Sequence, residues 1–106
     1  MDKREVIEKV KKYSDVVRSH FPVRLVILYG SYAKATARED SDIDVAVVVS
    51  KIDEDFLRAE VKLYKLRRDV DERIEPILLE EGNDQSGFLE QILENGEIIY
   101  SSQDRG

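Results

Sequence analysis

The sequence predicts a single α/β domain of the α+β kind, a small mixed β-sheet of three to four strands with helices packed on one face. Three observations lead there. Two short runs, RLVILY at 24–29 and DIDVAVVV at 42–49, are rich in β-formers and too β-branched to prefer helix. Segments whose apolar residues recur at helical spacing alternate with them along the chain. A length of 106 residues suffices for one core that needs no crosslink, and the sequence contains no cysteine.

The elements follow in order. Asp2 and Glu5 have the spacing of a capping box, and Val6, Val10, Tyr13 and Val17 then recur as one stripe, giving a first helix to about Arg18 that Pro22 stops. The run at 24–29 is a buried strand ending at Gly30, SYAKA is a short helix opening at Ser31, and TAREDS is a polar surface loop. The second strand spans 42–49. Asp55 caps the next helix, in which Leu57, Val61 and Tyr64 with the intervening apolar or long side chains line one stripe up to about Asp69. RIEPILL at 73–79 is a third strand, placed at a sheet edge or bulge by Pro76, which cannot donate to a ladder. GNDQSG links to a last helix, FLEQILEN, with Gly96 as its C-terminal cap, and EIIY adds a terminal strand. One domain over 1–100 is expected, with 101–106 a disordered tail.

Composition narrows the function. Seventeen Lys and Arg against 23 Asp and Glu give a net charge of -6, a field that repels nucleic-acid backbones. With no cysteine and one histidine, any metal here is held by oxygen. The N-terminus has no apolar run of signal-peptide type and no stretch approaches the ~20 apolar residues of a membrane span, so a cytoplasmic, soluble protein without a membrane partner is expected.

The chemistry concentrates at two places. Asp42 and Asp44 are two apart at the start of a strand, so both carboxylates leave one face while Ile43, Val45 and Val47 turn to the other. Like charges so placed call for a cation, and with oxygen donors alone the natural one is magnesium. Spacing by itself is ordinary, because Asp40/Asp42, Asp53/Asp55 and Asp69/Asp71 share it; the apolar strand behind Asp42 and Asp44 sets that pair apart. Gly30 and Ser31 close the first strand and open a helix, a geometry in which backbone N–H groups await an anion, although an isolated Gly-Ser is far more often an ordinary turn with Ser31 as N-cap. Lys34 and Arg38 either add positive charge there or remain solvated beside Glu39 and Asp40, the simpler reading. Tyr29 and Tyr32 flank the turn and could stack on a base, with Tyr29 the better core candidate. His20, at the end of the first helix, reads as a partner of the helix dipole.

Taken together, Gly30-Ser31, ten intervening residues and Asp42-Ile43-Asp44 within LYGSYAKATAREDSDIDVAVVV resemble the signature of the DNA polymerase β-like nucleotidyltransferase superfamily, in particular its minimal nucleotidyltransferase branch. Ala35 departs from the glycine many relatives carry in that loop. The resemblance implies the polymerase β-like fold, a third carboxylate at Glu75, and two magnesium ions held by Asp42, Asp44 and Glu75. It also implies ATP as substrate, with Gly30, Ser31, Lys34 and Arg38 at its phosphates. Small proteins of this branch are often antitoxins encoded with HEPN-type partners, some transferring AMP to a partner tyrosine, so the resemblance implies a HEPN-type partner protein and a protein hydroxyl as acceptor. The alternative is a non-catalytic antitoxin that neutralises its partner by binding. Leu89, Ile92, Leu93, Ile98, Ile99 and Tyr100 form an apolar end that serves either a partner or, more economically, the protein's own core.

Overall fold

The first turn of the chain is fixed by a side chain. Asp2 Oδ1 accepts the Glu5 N–H at 2.9 Å and starts α1, Lys3–Arg18. Val6, Val10, Tyr13 and Val17 then share one fully buried stripe. The computed structural model describes residues 2–34, 37, 41–83 and 86–102. The reading of Ala35 and Arg38, most of the TAREDS loop, and the last four residues of the tail lie outside the described residues.

Four strands make one sheet: β1 Val23–Tyr29, β2 Ile43–Val49, β3 Ile74–Glu80 and β4 Glu97–Ser101, in the order β3-β2-β1-β4. β1 runs antiparallel to both β2 and β4, and β2 runs parallel to β3. The two central strands are the two most apolar runs of the sequence, as expected of strands covered on both faces. β3 is an edge strand, where Pro76 leaves no ladder bond of β2 unmade. β4 includes Ser101, so the strand extends one residue into the segment expected to be a tail, and Ser102 is described beyond it.

The parallel β2–β3 pair needs a crossover, supplied by α2, Phe56–Lys65. Asp55 starts it by accepting the N–H groups of Leu57 at 2.8 Å and Arg58 at 3.4 Å. The residues Leu66–Asp69, expected as more of the same helix, tighten instead into a 3-10 turn that brings the chain back to the sheet. α3, Phe88–Asn95, joins β3 to β4.

Period-two alternation divides the strands between two layers. Val26, Leu28, Ile43, Val45, Val47, Val49, Ile74 and Leu78 meet α1 and α2 through Val6, Val10, Tyr13, Val17, Ala59 and Leu63. The Tyr13 hydroxyl donates to the Leu63 carbonyl at 2.6 Å and locks these two helices together. The opposite face presents Ile27, Ala46 and Val48, with Ile77 and Leu79 beside them, to Leu89 and Ile92 of α3. The expectation of helices on one face thus holds for α1 and α2. α3 departs from it because the even-numbered apolar residues of β2 also need cover, and the stripe of α3 supplies it.

The apolar C-terminal end mostly completes the core: Ile92 is buried, Leu89 packs beside it, and Ile99 and Tyr100 pack against the larger cluster. Leu93 and Ile98 remain exposed. Gly96 does end α3, its N–H bonding to the Ile92 carbonyl at 2.6 Å, but in an extended rather than left-handed conformation. Its glycine is required by space, since a Cβ there would lie 2.8 Å from Ile27 Cγ2 and 2.9 Å from the Leu28 carbonyl oxygen.

Candidate active site

The strand register assembles the site. Tyr29, the last residue of β1, pairs with Asp44 on β2, and Asp44 pairs with Glu75 on β3. Paired neighbours share a face, so the three form a row across the sheet on the side that carries α3. Asp44 and Glu75 are half-buried, while Asp42, just outside β2, is exposed.

Gly30 follows Tyr29 with φ of +74°, and a side chain there would strike Asp44, its Cβ lying 3.1 Å from Asp44 Cγ. Both the left-handed backbone and the close approach require glycine. The turn therefore ends directly against the carboxylate, and residues 31–34 continue as one helical turn closed by the Lys34 N–H on the Gly30 carbonyl at 3.1 Å. Ser31 is partly buried in that turn and Lys34 is exposed.

Electrostatically the row is uncompensated at its centre. The Asp44 carboxyl is held above the usual carboxylate range by burial first, then by the negative charges of Asp42 and Glu75. Burial and the same neighbours, Asp44 and Glu75, raise the Tyr29 phenol. Glu75 has a cation nearby, the Arg67 guanidinium, whose Nη1 is 3.8 Å from Oε1. Arg67 also donates to the carbonyls of Glu72 and Ile74 and stacks on the Tyr64 ring at 3.8 Å.

Of the residues expected at the site, Gly30 lies against Asp44 and Glu75 pairs with Asp44 on the same face, while Ser31 follows Gly30 in the turn and Asp42 stands just outside β2. Arg67 was not foreseen; its signal is a basic residue on the connection entering β3. Tyr29 packs against the smaller core cluster, as expected, and also pairs with Asp44 at the site, while Tyr32 is buried in the larger core. His20 lies at the far end of α1, exposed and away from this row.

Among the described residues, no three His, Cys, Asp or Glu side chains are gathered closely enough to form a ready metal cluster. The donor set nevertheless suits a hard divalent cation: three carboxylates whose charges already oppose one another at Asp44, and oxygen donors alone. Asp42, Asp44 and Glu75 are the residues that would hold it. Among the described residues no helix is long and apolar enough to cross a membrane.

Solved structures share this architecture. A candidate nucleotidyltransferase from Sulfolobus solfataricus superposes with a TM-score of 0.72 at 20% identity, over 95% of this chain and 85% of that one. A chain from the complex of tri-AMPylated Shewanella oneidensis HEPN toxin with MNT antitoxin gives 0.62 at 21% identity, over 92% and 73%. A chain of a toxin–antitoxin structure with AMP-PNP gives 0.61 at 20% identity, over 99% and 77%. At such identities the likeness is one of fold. A candidate protein adenylyltransferase of Methanocaldococcus jannaschii is 35% identical over 43 residues, 41% of this chain, and the match spans less than half (43%) of that relative. The family model described as "Polymerase beta, Nucleotidyltransferase" matches residues 8–105, from the first helix through the last strand, and the chain belongs to that family.

Proposed function

We propose that this chain is a magnesium-dependent adenylyltransferase that moves AMP from ATP to a hydroxyl of a HEPN-type partner protein, acting as its antitoxin. The observation that carries the proposal is the abutment of the Gly30 turn on Asp44, with the charges of Asp42 and Glu75 converging on the same carboxylate. An anion-binding turn and a cation-demanding row stand side by side, as transfer of a nucleotidyl group requires.

The residues divide the work. Backbone N–H groups at Gly30 and Ser31, with the Ser31 hydroxyl, hold the β- and γ-phosphates, and Lys34, with Arg38 beyond it, adds positive charge beside them. Asp42, Asp44 and Glu75 would hold the magnesium, with Glu75 on the acceptor side. When bound, magnesium neutralises the triphosphate and makes the acceptor hydroxyl more acidic. The acceptor oxygen bonds to the α-phosphorus in line as the bond to the bridging oxygen breaks; pyrophosphate leaves with that electron pair, and the hydroxyl proton is released. Catalysis then rests on positioning and charge stabilisation. Arg67, touching Glu75, keeps the third carboxylate at the acceptor side.

The neighbouring complexes of MNT antitoxin with AMPylated HEPN toxin, and the one with AMP-PNP, support the choice of acceptor and nucleotide. A second reading, an antitoxin that acts by binding alone, is favoured by the absence of a ready three-ligand cluster among the described residues.

The test is to incubate the protein with labelled ATP, magnesium and the protein encoded beside it, in parallel with an Asp42→Ala/Asp44→Ala double variant. Label on the partner that the double variant does not produce supports the enzyme. A wild type that labels nothing, with complex formation intact in both proteins, supports the binding module.

A further inference from the structure

A small cavity lies over the end of β1, on the side of Tyr29 away from the carboxylates of β2 and β3. Its volume is about 140 Å³. Complete small-molecule sites span roughly 300–1,000 Å³, so this one has room for a single ring system of a larger ligand. Gly30 and Lys34, from the turn proposed to hold the phosphates, line it together with the buried side chain of Ile92.

The walls are aromatic. Tyr29 and Phe88 stand edge to face, their ring centroids 6.1 Å apart and their planes at 88°. Phe88, which also lines the cavity, is 38% exposed. Gln91 and Asn95 complete the rim, one turn apart on α3. Asn95 Nδ2 donates to the Gln91 carbonyl at 3.1 Å, which fixes that amide and leaves its oxygen as an acceptor. The Gln91 amide is exposed and offers a donor and an acceptor together. Among the described residues no carboxylate lines the cavity.

We infer that this cavity is a nucleobase slot that takes the adenine ring of the triphosphate, with Phe88 as its stacking surface and Gln91 and Asn95 reading the amino edge. Flat rings bind such aromatic walls by stacking, and a side-chain amide matches the paired donor and acceptor on the edge of adenine. The slot deepens the function proposed above and rests on its placement of the phosphates at Gly30. It also gives the chain a direction: base over β1 and α3, acceptor over Glu75 on β3. Selection of the nucleotide then lies in α3, outside the signature residues.

Calorimetric titration of the wild type, Phe88→Ala and Gln91→Ala with ATP, inorganic tripolyphosphate and adenosine, each with magnesium, tests the slot. Phe88 and Gln91 are exposed positions whose truncation leaves the core intact. The inference expects wild type to bind ATP more tightly than tripolyphosphate. It expects Phe88→Ala to weaken ATP and adenosine by about tenfold, the order of one lost stacking contact, while leaving tripolyphosphate unchanged. Gln91→Ala is expected to weaken ATP and adenosine as well, while leaving tripolyphosphate unchanged. Adenosine binding that depends on Phe88, without any binding of tripolyphosphate, keeps the slot and removes the phosphate placement at Gly30. Equal affinities for ATP and tripolyphosphate, an effect of Phe88→Ala on neither ATP nor adenosine, or no binding of any of the three, overturns the slot.

Discussion

The two faces of the sheet solve opposite problems. Under α1 and α2 the side chains of Val10, Tyr13, Val45, Val47 and Leu63 are sealed from water, and charge at the rim is paired: Lys9 Nζ lies 2.6 Å from Asp71. Burial alone would raise the Asp71 carboxyl, but the hydrogen bond from Lys9 and the backbone N–H of Arg73 outweigh it and hold the group below its usual range. Under α3 the end of the sheet is left half-open, and Asp44 is pushed the other way by burial and by Asp42 and Glu75. Two aspartates of one acidic chain are thus treated oppositely. One face maintains the fold, and the other keeps unbalanced charge where a ligand can balance it, the usual relation between stability and function.

The largest expected effect separates these roles in activity. Asp44→Asn should lower AMP transfer by about a thousandfold, the several kcal/mol that metal-held charge stabilisation contributes, with the far-UV spectrum unchanged. On the sealed face Leu63→Ala should cost about 2–5 kcal/mol in denaturant unfolding, while transfer per folded molecule persists. Gly30→Ala joins the two faces' penalties: its left-handed φ and the collision with Asp44 should cost about 1–3 kcal/mol and also lower transfer. If Gly30→Ala were as stable and active as wild type, the turn and the carboxylate would not be in contact.

The smallest effects lie in pH dependence. Asp71, whose folded carboxyl is lowered, contributes stability that is present above the unfolded value of about 4 and is lost as pH falls through its folded value. Asp44, whose folded carboxyl is raised, contributes stability that is present below about 4 and is lost as pH rises through its folded value. Thermal midpoints measured from acid to neutral pH should therefore show Asp71→Asn less stable than wild type near neutrality and Asp44→Asn more stable, the two converging with wild type in acid.

Much of this was legible in the chain. The valine stripe of α1, the strands at 24–29 and 42–49 and the edge position of Pro76 follow from periodicity and from proline's missing donor, which are local facts. The pairing of Glu75 with Asp44 was reached through resemblance and is a fact of register, which a one-residue slip would have reversed. The position of α3 was not legible, because an amphipathic helix declares its apolar stripe and not which face of a sheet will receive it. Arg67 and Phe88 escaped for the same reason: each matters through a contact made across the fold.

The central claim, that the row at Asp44 holds charge in wait for a cation, is tested most directly by titrating magnesium against the thermal midpoint of wild type and Asp44→Asn in the absence of nucleotide. Wild type should start lower and rise with magnesium, by about 2.7 kcal/mol of added stability at a hundredfold excess over the dissociation constant, while Asp44→Asn should start higher and stay flat. An Asn variant that starts below wild type, or that rises with magnesium as wild type does, would contradict it.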